Sequence, residues 1–506
     1  MLPIIAPMSA LPISIHSISQ VRAIEAAAIE SGIDAYTLMR RAGQAAFAAL
    51  RAKWPTARHI VVVCGFGNNA GDGYVFAELA AAAGLKVTVA TLVAPNSLHG
   101  AAEQAWLAYR DTGGVTQSWD VRLLEGAEVV VDAVLGTGLS RGIDDSLQQV
   151  IHVINSSSLP VLALDVPSGI HADTGQVLGA AICATYTVSF VGLKIGFYLG
   201  DGPDYVGQLI LDDLSIPSSI LQAANQVATR IDNSCVKQSL PPRARTAHKG
   251  HFGHVLIVGS GLGMPGAVRL AGEACLRVGA GLVTVATLPE HVSSVVAGCP
   301  ELMVHGVLTA NDLFPLLEQA DVIAIGPGLG QDAWAQDLLA AVLATDKPLI
   351  IDADALNLLA HHPQRRERCV LTPHPGEAAR LLNSNTVSIQ AARLQSAQAL
   401  LDRYGGVVVL KGAGTWVAYE NELPVVCDRG NPGMAAPGMG DVLTGIIAGI
   451  AAQQTDIYDG LWRSACAGVY VHALAGDRAA LQGERGMKAS DLFEQLRYCV
   501  NTWVNP

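Results

Sequence analysis

A carboxylate beside a glycine-rich segment is the sequence feature that most directly suggests chemistry. The segment Asn431–Asp441 reads NPGMAAPGMGD and runs into the apolar stretch 442–450. Glycines allow backbone angles that side chains forbid, and the following stretch has helical composition, so we predict a loop that leads into a helix. The backbone N–H groups of Gly438, Met439 and Gly440 would then form a pocket suited to a phosphate or phosphoryl group.

Asp441 is the residue in this segment whose negative charge does not help to bind an anion. A carboxylate beside such a pocket repels the anion, unless its task is to take a proton from an attacking hydroxyl group. This combination indicates phosphoryl transfer. The alternative is that Asp441 only caps the helix, and an isolated Gly-x-Gly-Asp would favour that alternative.

Length, composition and charge predict a folded protein of two domains. The 506 residues exceed the roughly 250 to 300 at which one hydrophobic core stops growing. Hydrophobic residues make up 50% and charged residues 15%, which excludes a disordered chain. The net charge of −12 and the lack of a basic run exclude nucleic acid as an expected partner. No window approaches 18 uncharged apolar residues, so we expect no membrane span.

Cysteine usage and the amino terminus bear on the compartment. The nine cysteines are odd in number and contain no Cys-x-x-Cys pair, so neither a disulfide framework nor a zinc cluster is predicted. The first eighteen residues are apolar but lack the basic region of a signal peptide, and we expect a disordered extension or a true start at Met8. A reducing, cytoplasmic location follows as the expectation.

The first half alternates between helical and β-branched stretches. Helices are predicted at 19–32, with Ser19 as N-cap, and at 36–53. A glycine-rich loop, 65–73, is predicted to open onto a helix that starts at Tyr74. The predicted strands are 59–65, 86–92, 128–134, 159–165 and 185–191. This alternation predicts a parallel α/β sheet, whose sites lie at the carboxyl ends of the strands.

Polar residues collect at these strand ends. Asn68, Asn69 and Asp72 follow the first strand, Asp132 lies in the third, and Asp165-Val-Pro-Ser-Gly169 ends the fourth. Oxygen donors converging on one edge could hold a hard cation such as potassium, calcium or magnesium. Singly, each residue is better explained by turn formation, whereas taken together the residues favour a functional site. The second strand is not followed by the acidic residue that binds ribose in dinucleotide-dependent oxidoreductases, so that class is disfavoured.

Four segments of the first half together resemble the NAD(P)H-hydrate epimerase domain, over roughly residues 19–218: GNNAGDG, DAVLGTG, LDVPSG and FVGLKIG. The resemblance implies that Asn69, Asp132 and Ser168 bind potassium and that Asp165 is the acid/base group that inverts C6 of the hydrated nicotinamide ring. It also implies that Asp165 and two loops bind the hydrated dinucleotide, the loop residues being Asn68, Asn69, Ala70, Gly71, Asp72, Gly136, Thr137, Gly138, Leu139, Ser140, Arg141 and Gly142. The family usually has glycine at position 70.

The second half is predicted to be a separate α/β domain. Residues 217–245 contain Pro241-Pro242 and little periodicity, and we place the boundary near Asp232, giving domains 1–232 and 233–506. Predicted strands are 254–258, 281–287, 322–325, 348–351, 369–372 and 407–410, followed by a hairpin of 415–419 and 424–427. Lysine is scarce, and Lys194, Lys249 and Lys411 are each followed within two positions by glycine, which distinguishes them from ordinary surface charges.

Four loops of this half, together with the opening segment, resemble the ADP-dependent NAD(P)H-hydrate dehydratases, which are ribokinase-like, over roughly residues 246–500: IGPGLG, DADALN, LTPHPGE and LKGAGT. The resemblance implies that Asp441 is the catalytic base. It implies that the nucleotide is bound by Lys411, Gly412, Ala413, Gly414, Thr415 and Gly440, and the substrate by Ala267, Gly328, His374 and Asp441. One departure is Pro437, which has no N–H and so removes one potential phosphate donor.

These resemblances predict a Rossmann-like epimerase domain that interconverts the R and S hydrates at C6, fused to a ribokinase-like dehydratase. The latter would convert the S form to NAD(P)H with ADP and Mg²⁺, releasing AMP and phosphate. We expect small-molecule substrates, a homo-oligomer, and no nucleic-acid or membrane partner. One alternative is a ribokinase-like kinase of a vitamin or sugar hydroxyl, and another makes the first half a non-catalytic ligand-binding or scaffolding module.

Overall fold

The computed structural model describes residues 13–455 and 457–501 of the chain. Contacts divide the chain into two compact units, unit 1 up to Ala228 and unit 2 from Thr229. Most of the predicted amino-terminal extension, including Met8, lies outside the described residues. Where the description begins, the short strand β1 (Ser14–His16) pairs in parallel with β8 (Leu193–Lys194).

Unit 1 is built from alternating strands and helices. Its strands are β1 (Ser14–His16), β2 (His59–Cys64), β3 (Lys86–Thr91), β4 (Thr116–Ser118), β5 (Val129–Ala133), β6 (Val161–Leu164), β7 (Tyr186–Phe190), β8 (Leu193–Lys194) and β9 (Gln208–Asp212). Its helices are α1 (Ile18–Glu30), α2 (Ala35–Lys53), α3 (Gly67–Ala82), α4 (Gly100–Asp111), α5 (Asp145–Ser156), α6 (Gly202–Tyr205) and α7 (Ser218–Ala223).

The main sheet of unit 1 has the order β4-β3-β2-β5-β6-β7-β9, and its pairings are parallel. Every residue of β2, β5 and β6 is buried, as expected of continuous β-branched runs that are covered on both faces. The predicted parallel α/β sheet is therefore confirmed, and the carboxyl ends of β2, β5 and β6 lie side by side.

Two helix starts in unit 1 correct the sequence predictions. Helix α1 is capped by Ser17, not Ser19, because Ser17 and Gln20 form a reciprocal capping box. Helix α3 begins at Gly67 rather than Tyr74, so most of the predicted glycine loop is helical. The reason is packing: a Cβ on Gly71 would lie 2.4 Å from Met39 Sδ, and one on Gly73 would lie 2.5 Å from Ala133 Cβ.

Unit 2 has the same alternation. Its strands are β10 (Ala228–Arg230), β11 (His254–Val258), β12 (Leu282–Thr287), β13 (Met303–Gly306), β14 (Val322–Ile325), β15 (Leu349–Ile351), β16 (Cys369–Leu371), β17 (Val407–Leu410), β18 (Thr415–Tyr419) and β19 (Val425–Cys427). Its helices are α8 (Ser234–Ser239), α9 (Gly266–Arg277), α10 (Val292–Gly298), α11 (Ala310–Gln319), α12 (Ala333–Leu343), α13 (Ala353–His361), α14 (Pro375–Leu381), α15 (Thr386–Ala391), α16 (Arg393–Tyr404), α17 (Met439–Ala451), α18 (Ile457–Ala480) and α19 (Leu492–Val500).

The sheet of unit 2 runs in the order β13-β12-β11-β14-β15-β16-β17-β18-β19-β10. Its pairings are parallel except at the predicted hairpin, where β18 is antiparallel to both β17 and β19. Helix α17 is buried along nearly its whole length and packs against α9 and α18. The sequence prediction missed β13, and it treated 217–245 as irregular although α7, β10 and α8 form there.

None of the helices in the described part of the chain combines the length and apolarity that crossing a bilayer requires. The nine cysteines are free thiols.

Candidate active sites

A cavity of about 1050 Å³ opens in unit 1 at the carboxyl ends of β2, β5 and β6. Its size is at the upper end of the range for ligand pockets. Of the predicted residues, the loop 136–142, Asp165, Asn68, Asn69 and Asp72 line it. Ala70 is instead fully buried and Gly71 packs against Met39. Helix α1 contributes Arg22 and Glu25. The cavity therefore brings predicted residues together with others that were not predicted, and Arg22 and Glu25 are two charged examples.

Helix α3 directs its first turn at this cavity. Its N-cap residue, Phe66, makes no side-chain capping bond, so the first-turn N–H groups have no side-chain acceptor. Gly67 and Asn68 from this turn line the cavity. An uncapped helix start attracts negatively charged groups such as phosphate.

The predicted cation ligands form one oxygen-rich cluster beneath the cavity. The fully buried carboxylate of Asp132 accepts hydrogen bonds from Ser168 N (2.8 Å) and Ser168 Oγ (2.6 Å). Leu135 N donates to Ser168 Oγ (2.8 Å), and Asn69 Nδ2 donates to Leu135 O (3.0 Å). Burial raises the pKa of Asp132 to about 6, although the hydrogen bonds from Ser168 oppose that rise.

Asn69 Oδ1 is the member of this cluster that lacks a partner. It is buried and accepts no hydrogen bond from any described residue. A buried amide oxygen left unpaired costs free energy, which a bound cation would recover. Amide, carboxylate and hydroxyl oxygens are the ligands that hard cations prefer, so the residues present fit such an ion.

Asp165 lies at the cavity wall in an unusual backbone conformation. Its φ of 64° is left-handed, which is rare outside glycine and is often found at functional sites. The fully buried Lys194 donates to Asp165 Oδ1, to Ser189 Oγ (3.0 Å) and to Phe190 O (2.9 Å). A buried ammonium group needs a negative partner, and Asp165 is the carboxylate that pairs with Lys194.

Lys194 was not predicted as a site residue from the sequence. The scarcity of lysine in this chain and the glycine that follows Lys194 within two positions were signals that could have identified it. Glu25 was missed because nothing in its helical surroundings marks it. Burial raises the pKa of Glu25, and the charge of Asp165 adds to that rise. Asp72 is more buried, and burial together with Asp165 and Glu25 raises its pKa well above the usual value.

The glycine segment of unit 2 forms the predicted turn into a helix. Gly438 has φ 85° and is the N-cap of α17, and a Cβ there would lie 2.6 Å from Leu270 Cδ1. Neither Gly438 nor Asp441 provides a side-chain cap, so the first-turn N–H groups have no side-chain acceptor. The alternative in which Asp441 only caps the helix is therefore wrong.

Asp441 lies in the first turn of α17, and its surroundings raise its pKa towards neutrality. Burial raises its pKa to about 7, with Asp352 and Asp354 raising it further and Lys411 opposing them. A carboxylate with a pKa near neutrality is both ionised often enough and basic enough to accept a proton.

Lys411 is anchored beneath this helix start by a buried carboxylate. Asp352 accepts hydrogen bonds from Lys411 Nζ, Thr372 Oγ1 and Thr444 Oγ1, each at 2.8 Å. Burial alone would lower the pKa of Lys411, but Asp352 and Glu377 outweigh it and the pKa is raised. A Cβ on Gly440 would lie 3.3 Å from Lys411 Nζ, so the ammonium group closely approaches the backbone of α17.

The side chain of Arg393 donates hydrogen bonds to backbone carbonyl groups in and next to the predicted nucleotide loop, Lys411–Thr415. Arg393 Nη2 donates to Leu410 O (3.2 Å), Lys411 O (3.3 Å) and Gly414 O (3.0 Å). The guanidinium is buried, which lowers its pKa to about 10. Sequence reasoning gave Arg393 no role, because its partners lie 17 to 21 positions away along the chain.

The predicted substrate contacts of unit 2 lie in two places around this centre. Gly328 has φ 59°, and a Cβ there would lie 3.1 Å from Ala267 Cβ, so these two residues are adjacent. His374 caps α14 by accepting Gly376 N at Nδ1 (2.9 Å), while its backbone N–H donates to Glu377 (2.7 Å). Burial and the charge of Lys411 lower the pKa of His374, and its half-exposed ring can still contact a ligand.

Comparison with protein families matches both units. Residues 35–196 match the family described as YjeF-related protein N-terminus, and residues 255–497 match the family described as NAD(P)H-hydrate dehydratase.

Curated relatives match over nearly the whole chain. The bifunctional NAD(P)H-hydrate repair enzyme Nnr of Coxiella burnetii is 50% identical over 483 residues, covering 95% of this chain and 98% of that protein. The enzyme of the same name from Escherichia coli is 45% identical, covering 94% and 91%. Among solved structures, a ribokinase-like superfamily protein from Enterococcus faecalis is 33% identical with a TM-score of 0.50, covering 56% of this chain and 98% of that one.

Proposed function

This chain belongs to the family of bifunctional NAD(P)H-hydrate repair enzymes, and from that premise we propose how its two units divide the work. The protein is an epimerase and a dehydratase in one chain, with a ribokinase-like second unit. We assign epimerisation at C6 to the cavity of unit 1, and dehydration of the S hydrate to the start of α17 in unit 2. The alternative of a vitamin or sugar kinase is not favoured, because the match includes the first unit.

The observation that supports the dehydratase assignment is the pairing of a near-neutral carboxyl, Asp441, with an uncapped helix start. Hydroxide is a poor leaving group, whereas phosphate is a good one. In the proposed step Asp441 takes the proton of the C6 hydroxyl, whose oxygen attacks the terminal phosphorus of ADP. The bond from that phosphorus to AMP breaks. Phosphate then leaves C6 with the bonding electrons and C5 loses a proton, which regenerates NADH or NADPH.

Lys411 and the first-turn amides of α17 supply positive charge where phosphate charge builds up. Mg²⁺ accompanies the nucleotide, and we propose that the phosphates and water hold most of its coordination sphere. The proposed nucleotide contacts remain Lys411–Thr415 and Gly440, with Ala267, Gly328 and His374 contacting the substrate. ADP as the phosphoryl donor and the S form as the substrate belong to the same proposal.

In unit 1, Asp165 is the proposed acid/base group, and Lys194 is a positioning residue whose hydrogen bond holds the Asp165 carboxyl at the cavity wall. Asn69, Asp132 and Ser168 would bind potassium, whose charge would fix the loop after β5 and attract the dinucleotide's phosphates. The start of α3 and the loop 136–142 would bind the dinucleotide itself. A homo-oligomer and a cytoplasmic location stay predictions.

One assay tests both assignments. The protein is incubated with mixed R and S hydrates of NADH, with and without ADP and Mg²⁺, and the near-ultraviolet absorbance of reduced nicotinamide is followed. We expect absorbance only with ADP, and we expect the R form to be consumed along with the S form. Loss of the S form alone would contradict the assignment to unit 1, and no ADP requirement would contradict the assignment to unit 2.

Replacing potassium is expected to slow epimerisation without affecting dehydration of the pure S form. Asn69→Leu should raise the potassium concentration for half-maximal epimerisation about tenfold to hundredfold, because one contact to a charged group is worth about 1.5–3 kcal/mol. The measurement is the epimerisation rate as potassium is titrated against tetramethylammonium. Asn68→Leu, which changes the neighbouring residue outside the proposed ligand set, is the control for the potassium response. An equal response in wild type and Asn69→Leu would contradict the ligand assignment.

Arg393→Lys is expected to weaken nucleotide binding, because lysine cannot donate to all three carbonyls that Arg393 holds. The KM for ADP should rise about tenfold, which corresponds to a loss of about 1.4 kcal/mol in the free energy of ADP binding. The kcat should change little. Arg403→Lys, at the exposed end of the same helix, is the matched control and should leave both constants unchanged. An unchanged KM in Arg393→Lys would show that the loop keeps its shape without the guanidinium.

A further inference from the structure

Three carboxyl groups from three separate elements line the cavity of unit 1, and one of them, Asp165, pairs with the fully buried Lys194. Asp165 follows β6, Asp72 lies in the second turn of α3, and Glu25 lies on α1. Asp144 also lines the cavity, as do Arg22 and Arg141, so with Lys194 there are four acidic and three basic side chains. If all four acids were ionised, one negative charge would stay uncompensated in a site for an anionic dinucleotide. Retaining a proton on one or more of these carboxyls relieves that repulsion.

Glu25 and Asp72 differ from Asp165 in having no partner. Lys194 and the N–H of Phe190 (3.4 Å) donate to Asp165. Within the described ranges, the carboxyl groups of Glu25 and Asp72 form no hydrogen bond or ion pair. Removing a carboxyl from water without a partner costs free energy, so the stability of the fold does not explain either group.

The position of Glu25 is well fixed, because α1 is anchored at its start and along its cavity face. Ile18 N donates to Asp173 Oδ1 (2.7 Å), in addition to the capping box of Ser17 and Gln20. Arg22 Nη2 donates to Thr137 O (3.4 Å) in the loop that bounds the cavity. Glu25 is three residues after Arg22 and so lies on the same helix face. It is thus held at the cavity wall beside the loop proposed to bind the substrate.

We infer that Glu25 is the second acid–base group of the epimerisation and works together with Asp165. The inference rests on the proposed function of unit 1. In one direction the lone pair of the ring nitrogen N1 expels the C6 hydroxyl. The C6–O bond breaks, and Glu25 donates its proton to the departing oxygen, which leaves water and an iminium ion.

Water then adds to the opposite face of C6 while the carboxylate of Asp165 takes the released proton. The new C6–O bond completes the inversion, and the net change in the protein is one proton moved from Glu25 to Asp165, which solvent exchange reverses. The opposite direction uses the same two groups in exchanged roles. Two carboxyls kept in different protonation states are what such a step requires.

The charged neighbours of Glu25 determine its pH dependence. Asp165 raises the pKa of Glu25, whereas Lys194 and Arg22 lower it, and Asp72 interacts with it across the cavity. Other charged or titratable residues that line the cavity are His99, Arg141 and Asp144. In one direction of the epimerisation Glu25 must be protonated to act as the acid. The rate in that direction should therefore fall as the pH rises through the pKa of Glu25.

The test is Glu25→Gln in the full chain, with Glu30→Gln on the same helix as the exposed control. Epimerisation is measured across pH in both directions, from pure R hydrate and from pure S hydrate without ADP. The thermal unfolding of each variant, compared with wild type, checks that unit 1 is folded. We expect Glu25→Gln to lose about a hundredfold or more in rate and to lose the alkaline decline. Glu25→Asp should keep the decline at a reduced rate, and Glu30→Gln should behave as wild type.

Two results would overturn the inference. The first is a Glu25→Gln rate close to wild type. The second is a lower rate with an unchanged pH profile, which would indicate a structural role only. The variant Asp165→Asn distinguishes a wrong role for Glu25 from a wrong assignment of epimerisation to unit 1. If Asp165→Asn is inactive while Glu25→Gln is active, only the role of Glu25 is wrong, and if both are active, unit 1 is not the epimerase.

Discussion

Asp441→Asn is expected to abolish dehydration of the S hydrate while leaving epimerisation intact. Asparagine has nearly the same shape but cannot accept the proton of the C6 hydroxyl, and loss of a general base lowers the rate by about a hundredfold to ten-thousandfold. KM for ADP should change little, because Lys411 and the first-turn amides of α17 remain. The measurement is ADP-dependent formation of reduced nicotinamide from pure S hydrate, and near-normal turnover would rule out Asp441 as the base.

The pH dependence gives an independent check on the same residue. Because Asp441 must be ionised and its pKa is raised to about 7, kcat/KM for dehydration should fall as the pH drops below about 7. The residual activity of Asp441→Asn should lack this acid decline. A wild-type profile that is flat through this range would contradict the assigned environment of Asp441.

The raised pKa also makes a prediction about stability. The pKa of Asp441 is about 7 in the folded protein and near 3.8 for the free side chain, so between these values the folded state holds more protons than the unfolded state. The contribution of Asp441 to stability is therefore lost as the pH rises through this window. Asp441→Asn should unfold at a higher temperature than wild type at about pH 8, with the advantage shrinking towards pH 4. Asp337→Asn, on an exposed helix surface, is the control.

The sequence predicted the central strands well because their signal is local, but it missed the strands β1, β4, β8, β9, β10 and β13. Runs such as residues 59–64 are β-branched throughout, and only a strand covered on both faces accommodates them. Glycines carry a more ambiguous signal, since they serve turns and close packing alike. Gly438 serves a turn and was interpreted correctly, whereas Gly71 and Gly73 serve packing inside α3, and their loop prediction was wrong.

The site was predictable in its motifs but not in its supporting contacts. Asp352 joins Lys411, 59 residues later, and Thr444, 92 residues later, and no local pattern carries that pairing. Lys194 reaches Asp165 over 29 residues, and Arg393 organises its loop through backbone carbonyls, which any sequence could supply. Such residues become visible only when the folded chain shows which charges are buried and what compensates them.

Asp165→Asn is expected to stop interconversion of the R and S hydrates while dehydration of the S form continues. Without the carboxylate no group in this position can exchange a proton with the oxygen on C6, and the loss should be about a hundredfold to ten-thousandfold. In the coupled assay with mixed hydrates, wild type should convert both forms, whereas the variant should stop when the S form is consumed. Chromatography that resolves the two epimers measures the R form that remains.

Because Asp165 is the negative partner of the fully buried Lys194, Asp165→Asn leaves an uncompensated charge in unit 1 and could disturb its folding. The double variant Asp165→Asn/Lys194→Met removes both charges and keeps similar volumes, so it separates lost chemistry from lost structure. We expect the double variant to be as stable as wild type or more so, yet still inactive as an epimerase. Interconversion at the wild-type rate in a folded variant would instead support a unit 1 that binds the dinucleotide without acting on it.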